Sequence, residues 1–191
     1  MSWSDIVNEV VVGRSSASKV PTKTPRGIWL EDKFLNDRYD DLVENRAGPT
    51  FSIEGNRAVY TYTITERVDA FDKLKAHIHS IIFDEQEKRA NAGLTLSGLE
   101  VDTSDGALGK AESALLDFRG DPGSTRKYNT RTGGAEITVV ESQAIVDAIK
   151  AHKQTANDWG YDWSTLLEDA GVITLDDLRD IETQIWVDIA Q

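Results

Sequence analysis

At Phe51 the period of the sequence changes to two, and that change constrains the fold more than any other feature. Phe51 and Ile53 lead into Glu54-Gly55-Asn56, after which Ala58, Tyr60, Tyr62 and Ile64 alternate with Val59, Thr61, Thr63 and Thr65. Alternating β-branched and aromatic residues around a glycine turn specify a β-hairpin. Asp69 then opens a segment of a different period, in which Phe71, Leu74, Ile78, Ile81 and Ile82 fall on one side of a helix. That helix is expected to run to Ala92 and stop at Gly93. Its polar run from Asp84 to Arg89 is either a solvated face or the rim of a helix–helix contact.

Upstream, Trp3, Ile6, Val7, Val10 and Val11 have the spacing of a helical stripe, opened by Ser2 and Asp5 and closed by Gly13. Its valines weaken helix propensity, and so short a helix is marginal in water, so it is expected to order on docking. Ser15 to Gly27, small and polar with Pro21 and Pro25, has the composition of an extended linker. A tethered apolar helix is a docking arm if it reaches a partner, and part of the core if it folds back. Trp29, Leu30, Phe34, Leu35, Tyr39, Leu42 and Val43 fit a second helix that Gly48-Pro49 would stop.

Downstream, Leu94 to Val101 forms a compact hairpin around Ser97-Gly98, and Asp102, Thr103 or Ser104 caps a helix reaching about Phe118. Asp121-Pro122-Gly123 is a turn, and Arg126–Thr130 and Ala135–Val139 are short strands. Thr138-Val139-Val140-Glu141 is a capping box that opens a helix bearing Ile145, Val146 and Ile149. Trp159, Tyr161 and Trp163 read as an aromatic link, and Leu166 and Leu167 as a short helix closed by Gly171. Thr174-Leu175-Asp176-Asp177 caps a last helix with Leu175, Leu178, Ile181, Ile185 and Ile189 on one face and Trp186 beside it. The expected fold class is α+β. Short antiparallel hairpins pack on several helices, with one long central helix and an N-terminal helical arm. Three regions follow: a docking arm and linker over 1–50, a hairpin with the long helix over 51–92, and a C-terminal α+β domain over 93–191.

Charge and residue types remove several function classes. The net charge of −12 is uneven: nine acids and only Arg179 lie between Thr155 and Gln191, while Arg14, Lys19, Lys23 and Arg26 outnumber Asp5 and Glu9 before Leu30. Such a tail repels phosphate, so nucleic acid is not an expected partner. No cysteine is present, which excludes disulfides, thiol nucleophiles and thiolate zinc sites. The N-terminus does not read as a signal peptide, and no apolar run is long enough for membrane insertion.

His77 and His79 point to nearly opposite sides of a helix and cannot share a metal. Asp105, Gly106 and Glu112 match three positions of a calcium loop, but Val101 stands where the first ligand is required. Gly109-Lys110 is followed by Ala111 where a phosphate-binding loop needs Ser or Thr. The adjacent acids Asp40-Asp41 and Asp176-Asp177 are better read as solvated faces and caps than as a hydrolase pair. No catalytic, cofactor-binding or metal-ligating set assembles, and the chain is not expected to be an enzyme.

From Phe51 onward the order of features resembles a domain-of-unknown-function family encoded among bacteriophage tail, baseplate and tail-fibre genes. The resemblance rests on the tyrosine-rich hairpin with its long charged helix, and on Arg89-Ala90-Asn91-Ala92-Gly93-Leu94-Thr95-Leu96-Ser97-Gly98-Leu99-Glu100-Val101-Asp102-Thr103. It continues through Tyr128, Gly133-Gly134 and Ile137-Thr138 to His152, and through Leu175-Asp176-Asp177-Leu178 and Trp186. Tyr128 stands where that family often has tryptophan, and Met1 to Pro49 are not covered. The resemblance implies a structural component of a phage tail, located in the virion and made in the host cytoplasm. Its partners would be other tail or fibre proteins. The alternatives are an assembly chaperone for a tail fibre and an acidic DNA mimic that inhibits a host nuclease.

The arm residues Trp3, Ile6, Val7, Val10 and Val11 are the expected partner-binding set. Phe71, Leu74, Ile78 and Ile81, spaced three, four and three apart, are the expected seam of a homo-oligomer, with a trimer as the first choice.

Overall fold

Valine-rich segments suit strands better than helices, and the N-terminal region illustrates this. The computed structural model describes residues 3–7, 10–15, 28–35 and 39–191. The expected N-terminal helix is instead a pair of antiparallel strands, β1 (Trp3–Val7) and β2 (Val10–Ser15), with Val7 opposite Val10. The five apolar positions fit a helical stripe only if the chain is read as continuous. Divided between two paired strands, the same β-branched residues lose little side-chain freedom and gain ladder hydrogen bonds. Of the linker expected from Ser15 to Gly27, Ser15 is the last residue of β2 and residues 16–27 lie outside the described residues.

The second expected helix is likewise a strand, β3 (Ile28–Leu35), and Leu42 and Val43 lie in a turn. Gly48-Pro49 does not stop an element but sits inside β4 (Glu44–Glu54), where the register with β5 (Arg57–Glu66) shifts between Ala47 and Thr50. β4 is an edge strand, and an edge bulge is where a proline without an N–H can be accommodated.

These strands form one five-stranded sheet, ordered β2-β1-β3-β5-β4. β3 and β5 pair in parallel, whereas β1–β2, β1–β3 and β4–β5 are antiparallel. The first fifty residues are therefore not a separate arm, because β1, β2 and β3 share a sheet with the expected hairpin β4–β5. In register across it, Phe34 on β3 and Phe51 on β4 both meet Tyr60 on β5, with ring centroids 5.2 and 5.5 Å away. Ala58, Val59 and Tyr60 are buried in succession, so both faces of β5 are covered at that point.

The chain divides into two compact units, Met1–Leu74 and Lys75–Gln191, and the division falls within helix α1 (Ala70–Ala90). The second unit holds two small hairpins and three further helices. β6 (Leu94–Leu96) and β7 (Leu99–Val101) turn through Ser97 and Gly98, both at positive φ, the pairing a tight two-residue hairpin needs. α2 (Asp105–Asp117) follows, and then the hairpin β8 (Arg126–Thr130) with β9 (Gly133–Ile137).

Thr138 opens α3 (Val139–Leu167) with the expected capping box: its hydroxyl accepts from the Glu141 N–H, and its own N–H donates to the Glu141 carboxylate. α3 runs unbroken through Trp159, Tyr161 and Trp163, so the expected aromatic link and the short helix at Leu166-Leu167 are its C-terminal turns. Nothing in 159–167 breaks a helix, and Gly160 is buried where α1 approaches; a Cβ there would meet the end of Gln86. Thr174 and Asp177 form a second capping box at the start of α4 (Leu175–Ile189).

In the second unit two groups of buried side chains result. Val101, Phe118, Tyr128, Ile137, Ile145 and Ile149 form the core beneath the hairpins, where α2 packs on the first half of α3. Ile78 and Ile82 of α1, Leu167 of α3 and Leu178, Ile181 and Ile185 of α4 are buried among the helices. The α+β class expected from the sequence is the observed one.

Gly93, the expected helix stop, has φ +84°, and a Cβ there would strike the Arg131 guanidinium and lie 3.1 Å from the Val101 carbonyl oxygen. Gly93→Ala is expected to destabilise the protein by about 1–3 kcal/mol in urea unfolding, through left-handed strain and displacement of Arg131. Arg131 would then also lose its 2.6 Å hydrogen bond to the Ala92 carbonyl.

The carboxylates at helix starts set the acid limit. Glu141 is held below its ordinary value of 4.5 by the Thr138 N–H and hydroxyl. Asp177 is held below 3.8 by the Thr174 hydroxyl and the N–H groups of Ile173 and Thr174, and Asp102 by the N–H and hydroxyl of Ser104. Because the folded values lie below the unfolded ones, this stabilisation is complete above the ordinary range and disappears as pH falls through the folded values. The urea midpoint should be level between about pH 7 and 5 and fall below about pH 4, with Glu141→Gln flattening that fall.

Candidate interaction surface

α1, α3 and α4 are tied by a small polar cluster. The Asp188 carboxylate accepts from the Trp159 Nε1–H at 2.6 Å and from the Arg89 guanidinium at 3.2 Å. Arg89 also donates to Glu85 at 3.1 Å and lies 4.3 Å over the Trp159 ring. His152 bonds the Arg89 carbonyl oxygen at 2.8 Å, and Gln86 donates to Asn157 at 2.9 Å. Of the two readings open for the polar run 84–89, this arrangement is the rim of a helix–helix contact.

The other histidines are used singly. His79 and Lys75 share Glu168, each at 2.8 Å, while His77 lies 3.8 Å from Glu182. The two rings face different carboxylates, as their spacing requires. The calcium near-match is occupied by lysines of α3: Lys153 pairs with Asp105, and Lys150 with Glu112 at 2.8 Å. Among the described residues, no group of three or more potential ligands is placed to hold a metal ion.

The expected partner-binding residues fall on strands. Trp3, Ile6 and Val7 lie on β1, and Val10 and Val11 on β2; their side chains lie outside the described set. The expected seam on α1 is corrected at its centre. Leu74 and Ile78 are fully buried within a single chain, Phe71 and Ile81 are half-buried, and the freely exposed aromatic is Phe83. Ile82 widens the stripe past the two positions per heptad of a coiled coil, as in an ordinary core helix.

Exposed apolar surface gathers elsewhere, where the end of α2 meets the start of α3. Leu115, Val139, Val140 and Ala144 line a groove of 470 Å³, and Leu115, Leu116, Phe118 and Val139 line an adjoining one of 310 Å³. Leu116 is 51% exposed and Val140 74%. The rims carry Asp147, whose carboxylate accepts from Gln143 at 2.8 Å, and Arg119.

The local cause is simple. α2 turns Ala107 and Ala111 inward and packs Leu108 and Leu115 against the same core, so Leu116, one position on, points away from it. The doublets Leu115-Leu116 and Val139-Val140 were the available sequence signal, since a helix with one covered face leaves one member of each pair in water. Such a groove offers shape and dispersion contact and no reacting group.

Comparison with protein-family models, with curated proteins and with solved structures finds no match to this chain.

Ile78→Asp is expected to unfold the protein, costing more than about 3 kcal/mol, because it places a charge in a closed core. Circular dichroism with sedimentation velocity checks this; a folded variant of lower mass than the wild type would restore the seam.

Proposed function

We propose that this chain is a structural, non-catalytic component of a bacteriophage tail, acting at a baseplate or tail-fibre attachment through protein–protein binding. The observation that carries the binding role is the apolar groove at the α2–α3 junction, where Leu116 and Val140 present unburied side chains beside Leu115 and Val139. Apolar patches with polar rims are the usual form of a protein-binding surface. The occupant is a segment of a tail or fibre protein presenting two or three apolar side chains. The assignment to a phage tail rests on the resemblance of residues 51–191 to the tail-associated family, and localisation in the virion follows from it. Assembly as a homo-oligomer, a trimer by preference, belongs to the same proposal, with fibre symmetry as its support.

Among the described residues, no helix is long and apolar enough to cross a membrane. Much of the acidic C-terminal segment is engaged internally: Glu168, Asp177, Glu182 and Asp188 pair with basic side chains or cap helices. That engagement favours packing over mimicry of DNA.

The test is a double substitution, Leu116→Lys with Val140→Lys, at two exposed positions. Its melting temperature should stay within about 3 °C of the wild type, as surface changes do. Recovery of the chain in purified tails, read by quantitative mass spectrometry, should fall at least tenfold, roughly the effect of losing a central apolar contact. Wild-type chain that is abundant in infected cells but absent from purified particles would favour the assembly chaperone.

A further inference from the structure

The apolar groove at the α2–α3 junction ends in opposite charges. α2 and α3 run antiparallel: Asp105, at the start of α2, pairs with Lys153, Glu112 pairs with Lys150, and Leu115 shares the groove with Val139. On the wider concavity of 470 Å³, Asp147 stands about 12 Å along α3 from Val139. Arg119 lies in the opposite direction, in the turn past the end of α2, on the narrower concavity of 310 Å³. Among the described residues these are the only charged side chains lining either concavity, and Arg119 meets no carboxylate at ion-pair distance. Lys150, one turn beyond Asp147, is committed to Glu112 at 2.8 Å.

That pattern is self-complementary. Turned by half a rotation onto itself, the strip sets positive on negative at both ends and apolar on apolar between them. An isologous contact requires such a patch, because every residue pair in it occurs twice. The protruding side chains fit the same operation. Leu116 stands exposed at the narrower concavity and Val140 at the wider one. Under the rotation that joins Arg119 to Asp147, each copy's Leu116 meets the wider concavity of the other.

We propose that in the free protein this groove is filled by a second copy of the chain, in a two-fold dimer with Arg119 of each copy against Asp147 of the other and Leu116 and Val140 at the centre. The inference rests on the reading of the groove as a docking surface, and it names what covers the groove before a tail segment does. The contact is small and its end charges are exposed, so the dimer is weak, dissociating in the micromolar range, and a tail segment can displace the second copy. It closes at two copies and makes no demand on the symmetry of the particle.

The experiment uses the full chain and two single charge reversals at exposed positions, Arg119→Glu and Asp147→Lys, with circular dichroism to show that each is folded. Sedimentation equilibrium over a wide range of concentration reads the association. The wild type is expected to pass from monomer to dimer as concentration rises, and less readily at high salt. Each variant alone places like charges at both ends of the contact and should dissociate roughly tenfold more readily or worse, as like-charge juxtaposition does at an interface. An Arg119→Glu chain facing an Asp147→Lys chain has opposite charges at both ends, so an equal mixture of the two should recover the association of the wild type. The proposal is overturned if the wild type stays monomeric at every concentration, or if the mixture associates no better than either variant alone. A monomeric wild type together with poor recovery of the Leu116→Lys, Val140→Lys chain in purified tails overturns the dimer and leaves the tail reading standing. A wild-type dimer with undiminished recovery of that chain does the reverse.

Discussion

The arrangement of the second unit depends on one shared acceptor, the Asp188 carboxylate. By taking both the Trp159 N–H and the Arg89 guanidinium, it fixes α4 against α3 and α1 together. The groups are partly exposed, with Arg89 33% and Asp188 41% accessible, so their net contribution to stability is modest. Their effect is on register. Two N–H donors of defined direction admit one rotation of each helix, and the apolar side chains of Ile78, Ile82, Ile181 and Ile185 supply the burial once that rotation is set. α3 carries the consequence along its 29 residues, because its first half closes the hairpin core and its second half bears Trp159.

What the sequence revealed follows from how local each signal is. The hairpins at Gly55-Asn56 and Ser97-Gly98, and the boxes at Thr138 and Thr174, are written in four or five consecutive residues, and all are present. The strand β3 depends on partners twenty or more residues away, β1 on one side and β5 on the other, and no window around Trp29 contains that information. The stripe at Trp3 to Val11 misled for a related reason. Five apolar residues in nine positions satisfy a helix and a strand pair alike, and tertiary pairing decides between them. The aromatic run at 159–163 reads as a link in the sequence, yet it is helical throughout. Nothing in it breaks the helix, and Asp188 and Gln86, both distant in sequence, lie against it.

The candidate surfaces were less legible than the fold. A strip of helix predicts which residues face a core but not where the core ends, and the groove exists because α2 packs Ala107, Leu108, Ala111 and Leu115 against the core and leaves the adjacent Leu116 outside it. The acidic C-terminal segment shows the opposite error of reading. As a string it resembles a charged surface awaiting a partner. In the structure Asp169 accepts from the Gly171 N–H, Asp177 caps α4, and Glu168, Glu182 and Asp188 meet cations. Charge counted along a chain overstates charge available to another molecule.

The strand order of the first unit also constrains the sequence of events by which it can form. β2-β1-β3 is a three-stranded half and β5-β4 a two-stranded half, and among the described residues they join through the parallel pairing of β3 with β5. Each half can assemble from near neighbours, but the junction must wait for β5, whose last residue is Glu66. On a ribosome adding about 5–20 residues per second, the roughly thirty residues after Leu35 take about 2–6 seconds. For that interval β3 has one open edge and no partner for it, and an open edge is what strand-binding chaperones and neighbouring nascent chains recognise. The parallel seam is thus a timing element: it makes the first unit vulnerable before Glu66 is synthesised, and the vulnerability closes within one hairpin.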